Sequence, residues 1–219
     1  VDRFLNKITQ GDCLELMREM PDKSVDLVLT DPPYGINEND KKVASRGNLA
    51  KPIDYGCFEW DKNKVDRKYF REISRISLNW IIWGGNYYAN YFVNSPCWLV
   101  WYKNNGTNDF ADCELAYTSF KTAVRFFKYT WNGMIQENMG KDKEIKEHPT
   151  QKPLNLFKWC LDKYSEPGQT ILDPFSGSGT TAIACHDLKR NFICIEKEPK
   201  YIALSQQRLE NARAQLELF

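Results

Sequence analysis

Four consecutive residues, Asp31-Pro32-Pro33-Tyr34, place one carboxylate, fixed carbonyl oxygens and one aromatic ring directly after the apolar run Val25–Thr30. Proline has a fixed φ and no amide hydrogen, so the turn is stiff and its carbonyls are directed rather than paired. A planar ring carrying an exocyclic amine needs this set. The ring stacks on the aromatic side chain, and the two N–H donors of the amine go to Asp31 and the Pro32 carbonyl, once the base has left its duplex. Their pull opposes delocalisation of the nitrogen lone pair and leaves it better able to attack a methyl sulfonium in line. In a surface turn the same tetrapeptide would be unremarkable. After a buried strand it stands where open α/β sheets bind their ligands.

A second constellation is Leu172-Asp173-Pro174-Phe175-Ser176-Gly177-Ser178-Gly179-Thr180-Thr181. An apolar strand enters a Gly-rich turn that opens a helix, and glycines there admit positive φ and close approach of a ligand. Glu196 ends the next strand, about 20 residues on, where a carboxylate takes ribose hydroxyls. Gly177-x-Gly179-x-x-Ala182 also matches the loose dinucleotide fingerprint, so NAD is a competing ligand. That reading is the weaker one: the motif comes late, and only one further βα unit follows it. The Phe-x-Gly-x-Gly pattern suits S-adenosylmethionine better than a pyrophosphate.

The elements that must position these groups are legible as alternating strands and helices. Strands are expected at 6–10, 25–30, 79–83, 98–102, 114–119, 124–129, 170–173 and 192–196. Helices are expected at 13–20, 65–78, 154–164, 179–188 and 200–216. Such alternation predicts an α/β fold with a doubly wound, mostly parallel sheet. Residues 36–64 are polar and without period and are read as a long, mobile loop, of the kind that is functional or disordered. No linker divides the chain, so residues 1–219 are expected to form one domain.

Bulk properties exclude more than they assign. A net charge of +1 announces no global basic field, although positive charge can still gather on one face. The seven cysteines are scattered and never spaced Cys-x-x-Cys, and only His148 and His186 are present. That argues against a disulfide framework and a metal site, and fits a reducing cytoplasm. There is no signal-peptide pattern, internal repeat or apolar run of membrane-spanning length.

The chain resembles the amino-methylating DNA methyltransferases of the β arrangement, in which the catalytic strand precedes the cofactor strand. The likeness spans Gly11-Asp12-Cys13, the Asp-Pro-Pro-Tyr turn, Trp80–Tyr88, Cys97–Lys103, His148–Pro153, Leu172–Thr181 and Glu196. It implies a Rossmann-like sheet with circularly permuted motif order, S-adenosylmethionine as cofactor and double-stranded DNA as partner. No membrane association is implied. A homodimer and a separate restriction enzyme are further partners it leaves open. By resemblance Asp31 is the catalytic carboxylate, Tyr34 stacks on the flipped base, and Pro32 and Pro33 complete the turn. Phe175, Gly177 and Gly179 would pack on the cofactor within the turn that includes Asp173, Ser176 and Thr180. Glu196 would take the ribose hydroxyls. Asp12 and Cys13 would lie near the adenine moiety, and Thr150, Lys152 and Pro153 by the methionine end. Asp at the first motif position goes with adenine N6 in the family, and Ser with cytosine N4, so adenine is the expected target. Larger relatives carry a long target-recognition insert; here only residues 120–147 fill that place. A non-catalytic ligand-binding subunit is the reading from another class, and the intact Asp31 and Tyr34 weigh against it.

Other signals are set aside. Pro96-Cys97 mimics the nucleophile of cytosine C5 methylation, but Cys97 opens a strand and reads as a buried structural thiol. Asp109, Asp112 and Glu114 read as a solvated face rather than a metal site. Lys141–Glu147 alternates in sign and reads as exposed. His148 reads equally as a phosphate contact or as the cap of a loop. Trp131, in a turn-like context, could face DNA.

Overall fold

In the computed structural model, which describes residues 1–36, 64–106, 111–132, 135–140, 143–148 and 150–216, helices and strands alternate along most of the chain. The elements begin with β1 (Lys7–Gln10), α1 (Cys13–Arg18) and β2 (Val25–Thr30). After them come α2 (Arg67–Ile76), β3 (Ser77–Trp83), β4 (Trp98–Tyr102), β5 (Cys113–Thr118) and β6 (Arg125–Lys128). A short hairpin of β7 (Trp131–Asn132) and β8 (Ile135–Gln136) precedes α3 (Leu154–Tyr164) and β9 (Thr170–Asp173). The series closes with α4 (Thr180–Asp187), β10 (Asn191–Glu196) and α5 (Pro199–Leu216). The expected loop at 36–64 falls, from 37 to 63, outside the described residues.

Eight strands form one sheet in the order β1-β10-β9-β2-β3-β5-β4-β6. Only β5 is antiparallel to its neighbours, β3 and β4; the other pairs are parallel. The mostly parallel α/β sheet read from the sequence is thus the observed one. Its strands bury side chains on both faces, as crossover helices require. Leu27, Leu29, Ile81 and Trp83 pack on one face with Leu156 and Phe157 of α3 and Ile183 of α4. Val28, Ile82, Leu172 and Ile193 pack on the other with Met17 of α1 and Phe70 and Ile73 of α2. The latter two recur at helical spacing with Ile76, all three buried, and Asp66 caps α2 by accepting from the Lys68 amide at 2.8 Å.

Boundaries differ from expectation by one or two residues at several elements, and the reason is clearest at α2. The helix read as running to Leu78 ends at Ile76, because Ser77 is extended and pairs opposite Val25 at the foot of β2. Sheet pairing claims residues that helical periodicity would also accept. The 3₁₀ turn Gly85–Tyr91 and the β7–β8 hairpin carry no periodic signal and were not expected. Among the described residues no helix is long and apolar enough to cross a membrane.

The topology decides where a ligand can sit. From β2 the chain passes through α2 to β3, on one side. From β9 it passes through α4 to β10, on the other. β2 and β9 are hydrogen-bonded neighbours, so the strand order reverses between them. Their diverging connections open a crevice at their carboxyl ends, and those ends are Thr30-Asp31 and Asp173-Pro174.

Candidate active site

Asp173 is the keystone of the crevice. It is buried, and its carboxylate accepts from Thr30 Oγ1 at 2.7 Å, Thr181 Oγ1 at 2.5 Å and the Phe175 amide at 3.1 Å. One carboxylate thereby ties the end of β2 to the glycine turn and to the first turn of α4. Burial raises its pKa to about 6 against the pull of those donors. Asp173 lines the cavity, but its oxygens face inward; it shapes the site more than it offers a ligand contact.

Above it lies a cavity of about 520 Å³, within the range of roughly 300–1,000 Å³ usual for small-molecule sites. Asp12, Cys13, Asp31, Thr150, Lys152, Phe175, Ser176, Gly177, Thr180 and Glu196, all proposed from the sequence, meet on its wall. Glu196 accepts from the Gly177 amide at 2.8 Å through one oxygen. Through the other it accepts from the Lys197 and Glu198 amides, each at 2.8 Å. Burial raises its pKa, and these donors oppose the rise. Ser176 Oγ is buried and, among the described residues, has no hydrogen-bond partner, so it fits a polar group of a ligand.

Three of the proposed cofactor residues also have structural roles. Gly179, at φ +76, lies with its missing Cβ position 2.7 Å from Cβ of Ser205 on α5. It permits close packing of turn and helix behind the cavity and is absent from the wall. Asp12 lines the cavity and also caps α1 by accepting from the Leu14 amide at 2.9 Å. Pro153 is the N-cap position of α3 and is not on the wall. That helix has no side-chain cap of its own; Glu144 accepts from the Leu154 amide at 3.0 Å instead. The charged run before it is therefore pinned at Glu144, which is half-buried, rather than exposed throughout.

The catalytic turn carries a denser network than the sequence suggested. Asp31 Oδ2 receives Lys152 Nζ at 2.5 Å, and its other oxygen receives the Tyr34 hydroxyl. Lys152 reaches Glu114 at 3.2 Å, and Lys103 reaches the second Glu114 oxygen at 2.5 Å. The expected solvated face at Glu114 is corrected here: Asp112 is exposed, but Glu114 is largely withdrawn from solvent on β5. Asp109 lies outside the described residues. Burial would raise the Glu114 carboxyl, but Lys152 and Lys103 outweigh it and hold it at about 2. Burial likewise dominates at Asp31, whose pKa is raised despite Lys152. Lys152 stays charged, since its two carboxylates overcome its own burial.

Tyr34 is held as a plate. Its ring stacks on Tyr87 with centroids 4.7 Å apart and lies over Gly84, while the Tyr88 hydroxyl donates to the Pro33 carbonyl. In the sequence, Trp80–Tyr88 shows a strand and a resemblance, not the packing of Tyr87 and Tyr88 against the catalytic turn. The Gly84-Gly85 pair was the signal that something must approach closely there.

The remaining signals fall into place. Cys97 is buried, with its sulfur accepting from Thr122 Oγ1 at 3.3 Å and beside the Tyr164 hydroxyl, as a structural thiol. His148 is buried against Tyr201, and its Nδ1 accepts from the Thr150 amide at 3.3 Å. Burial lowers its pKa to about 3, so it is a neutral loop cap. Trp131 belongs to β7, not to a turn, and packs half-buried against the core. Tyr69 and Tyr201 also line the cavity, and neither carries a sequence signal.

With this geometry in view, comparisons with known proteins point one way. A family model described as DNA methylase matches residues 61–207. The chain is 28% identical to the type II methyltransferase M.HinfI of Haemophilus influenzae, over 97% of its own length and 70% of that protein's. It is 27% identical to the type II methyltransferase M2.MboI of Moraxella bovis, over 92% and 86% of the two chains. Among solved structures it resembles M1.HpyAVI in complex with SAM, at 25% identity and a TM-score of 0.55, covering 93% of this chain and 98% of that one.

Proposed function

The chain belongs to the DNA methylase family of N6 and N4 amino-methylating enzymes, and on that premise we propose that it methylates adenine N6 of a base flipped out of double-stranded DNA. The methyl donor is S-adenosylmethionine. One observation carries the proposal. Asp31 and Pro33 of the catalytic turn line the same cavity as Gly177 and Glu196, at the point where the strand order reverses, while Pro32 and Tyr34 stand off its wall.

The cavity suits the donor. Glu196 presents a carboxylate for ribose hydroxyls, and Ser176 Oγ, buried and without a partner among the described residues, suits a polar group of the donor. When bound, the cofactor supplies an electrophilic methyl on a sulfonium. The protein supplies position and electrostatics. Tyr34, backed by Tyr87, gives the target ring a stacking face. Asp31 and the Pro32 carbonyl would take the amine's two donors, and the engagement of the neighbouring Pro33 carbonyl by Tyr88 supports that choice. Asp31 must be ionised to accept, so activity falls as pH drops through its raised pKa. Residues 120–147, with β6 and the β7–β8 hairpin, are assigned to target reading. Asp at position 31 supports adenine over cytosine by resemblance to the family pattern.

Expression in a methylation-free host, followed by nucleoside mass spectrometry, tests the reading. N6-methyladenine is expected, lost in Asp31→Ala with cofactor binding retained. Predominant N4-methylcytosine would overturn the base assignment; no methylated amino base at all would overturn the function.

A further inference from the structure

We propose that Glu114 is a positioning residue for methyl transfer: it draws Lys152 away from an exclusive pair with Asp31 and so preserves Asp31 as a strong acceptor for the target amine. The proposal rests on the function read above.

The geometry is specific. β3 ends at Trp83, which pairs with Ala116, so Cys113, Glu114 and Leu115 of β5 overhang the end of β3. Lys152 lies across that gap, 2.5 Å from Asp31 and 3.2 Å from Glu114. Asp31 and Glu114 thus flank β3 and share one ammonium. Lys103 closes the series at 2.5 Å, giving alternating charges with no net excess: Asp31, Lys152, Glu114, Lys103. The groups acting on Asp31 are Lys152 and Tyr34, which favour its charged form, and Glu114, which opposes it; Asp173 is a further carboxylate nearby.

A lysine paired with Asp31 alone would neutralise the carboxylate that must accept the amine. A second carboxylate on the same ammonium splits its attraction. Glu114 does not serve as a proton store, because two lysines hold it ionised far into acid. It is not on the cavity wall, so its effect on catalysis passes through Lys152.

The two halves of the network predict opposite displacements of one observable, the acid limb of the kcat/KM profile. Glu114→Gln leaves Lys152 to Asp31 and moves the limb to lower pH, with kcat falling on the order of tenfold, less than the ~10²–10³ loss on removing a directly contacting group. Lys152→Met removes the cation and moves the limb to higher pH. Because an uncompensated buried charge destabilises, the charge-balanced pair Glu114→Gln with Lys103→Met serves as the second variant. It is expected to move the limb in the same direction as Glu114→Gln. S-adenosylmethionine affinity by calorimetry is expected to be unchanged in both Glu114 variants. Limbs that coincide with wild type, or that move together for Glu114→Gln and Lys152→Met, would overturn the proposal while leaving the function intact. A wild-type protein that methylates no base would overturn both.

Discussion

Replacing Gly84 by alanine should disable the site from outside the cofactor cavity. Gly84 has φ +66, and a Cβ there would lie 2.0 Å from Cε1 and 2.4 Å from Cζ of Tyr34. The ring has little freedom to yield, because Tyr87 stacks on it and Asp31 holds its hydroxyl. Left-handed backbone in a residue with a Cβ costs roughly 1–2 kcal/mol. Freeing a hydroxyl from a carboxylate costs about 1.5–3 kcal/mol more. The sum, roughly 3–5 kcal/mol, is below the ~5–15 kcal/mol of a typical domain, so the variant should stay folded at low temperature. A displaced plate forfeits base stacking worth about 1–3 kcal/mol. In kcat/KM that is roughly a 5- to 150-fold loss. Gly84 is not on the cavity wall, so cofactor affinity should hold within about twofold. Gly168→Ala is the control: it has φ +84 with nothing within 4 Å, and so carries the backbone strain alone. Urea melts, calorimetry with S-adenosylmethionine and methyl-transfer rates on duplex DNA give the three readouts. Equal activity losses in the two variants, or a loss in Gly84→Ala that tracks cofactor affinity, would refute the reasoning.

Glu196→Ala should weaken S-adenosylmethionine binding by about 1–3 kcal/mol, and calorimetry showing undiminished affinity would count against its assigned role. Asp173 should give stability a falling slope with pH. Its folded pKa, about 6, lies above the ordinary 3.8, so the folded state binds the extra proton between them. Stability then drops as pH rises through that window, on the order of 3 kcal/mol. Asp173→Asn should show a shallower fall in urea melts run across the same range, the remainder coming from carboxyls such as Asp31 and Glu196 whose pKa burial also raises. Lys121, Arg125 and Lys128 are exposed on or beside the edge strand β6, with Lys128 opposite Tyr102 at the carboxyl end of β4. Each that neutralises a phosphate should, on replacement by alanine, reduce the salt slope of DNA binding by about 0.9. An unchanged slope in the triple variant would remove this face from the DNA interface.

Much of the framework is local and therefore readable. Apolar runs and helical spacing gave the strands of the sheet and the helices beside it, because burial on two faces leaves a pattern along the chain. The turn motifs at 31–34 and 172–181 declared their chemistry for the same reason: proline and glycine constrain the backbone wherever they stand. The cavity wall gathered most residues chosen from those motifs.

What spacing could not show is which side chains meet across the sheet. Glu114 looked like one member of an exposed acidic cluster, since nothing near it in the chain reveals that β5 overhangs β3. Nor could spacing show that Asp173, read as a cofactor residue, also bolts two strands together, or that Gly179 admits Ser205 behind the turn. Lys152 is separated from Asp31 by 121 positions. The fold sets the loop before α3 beside the end of β2 and so brings those two ions together, and the cost of leaving either unpaired in a buried site is what keeps them there.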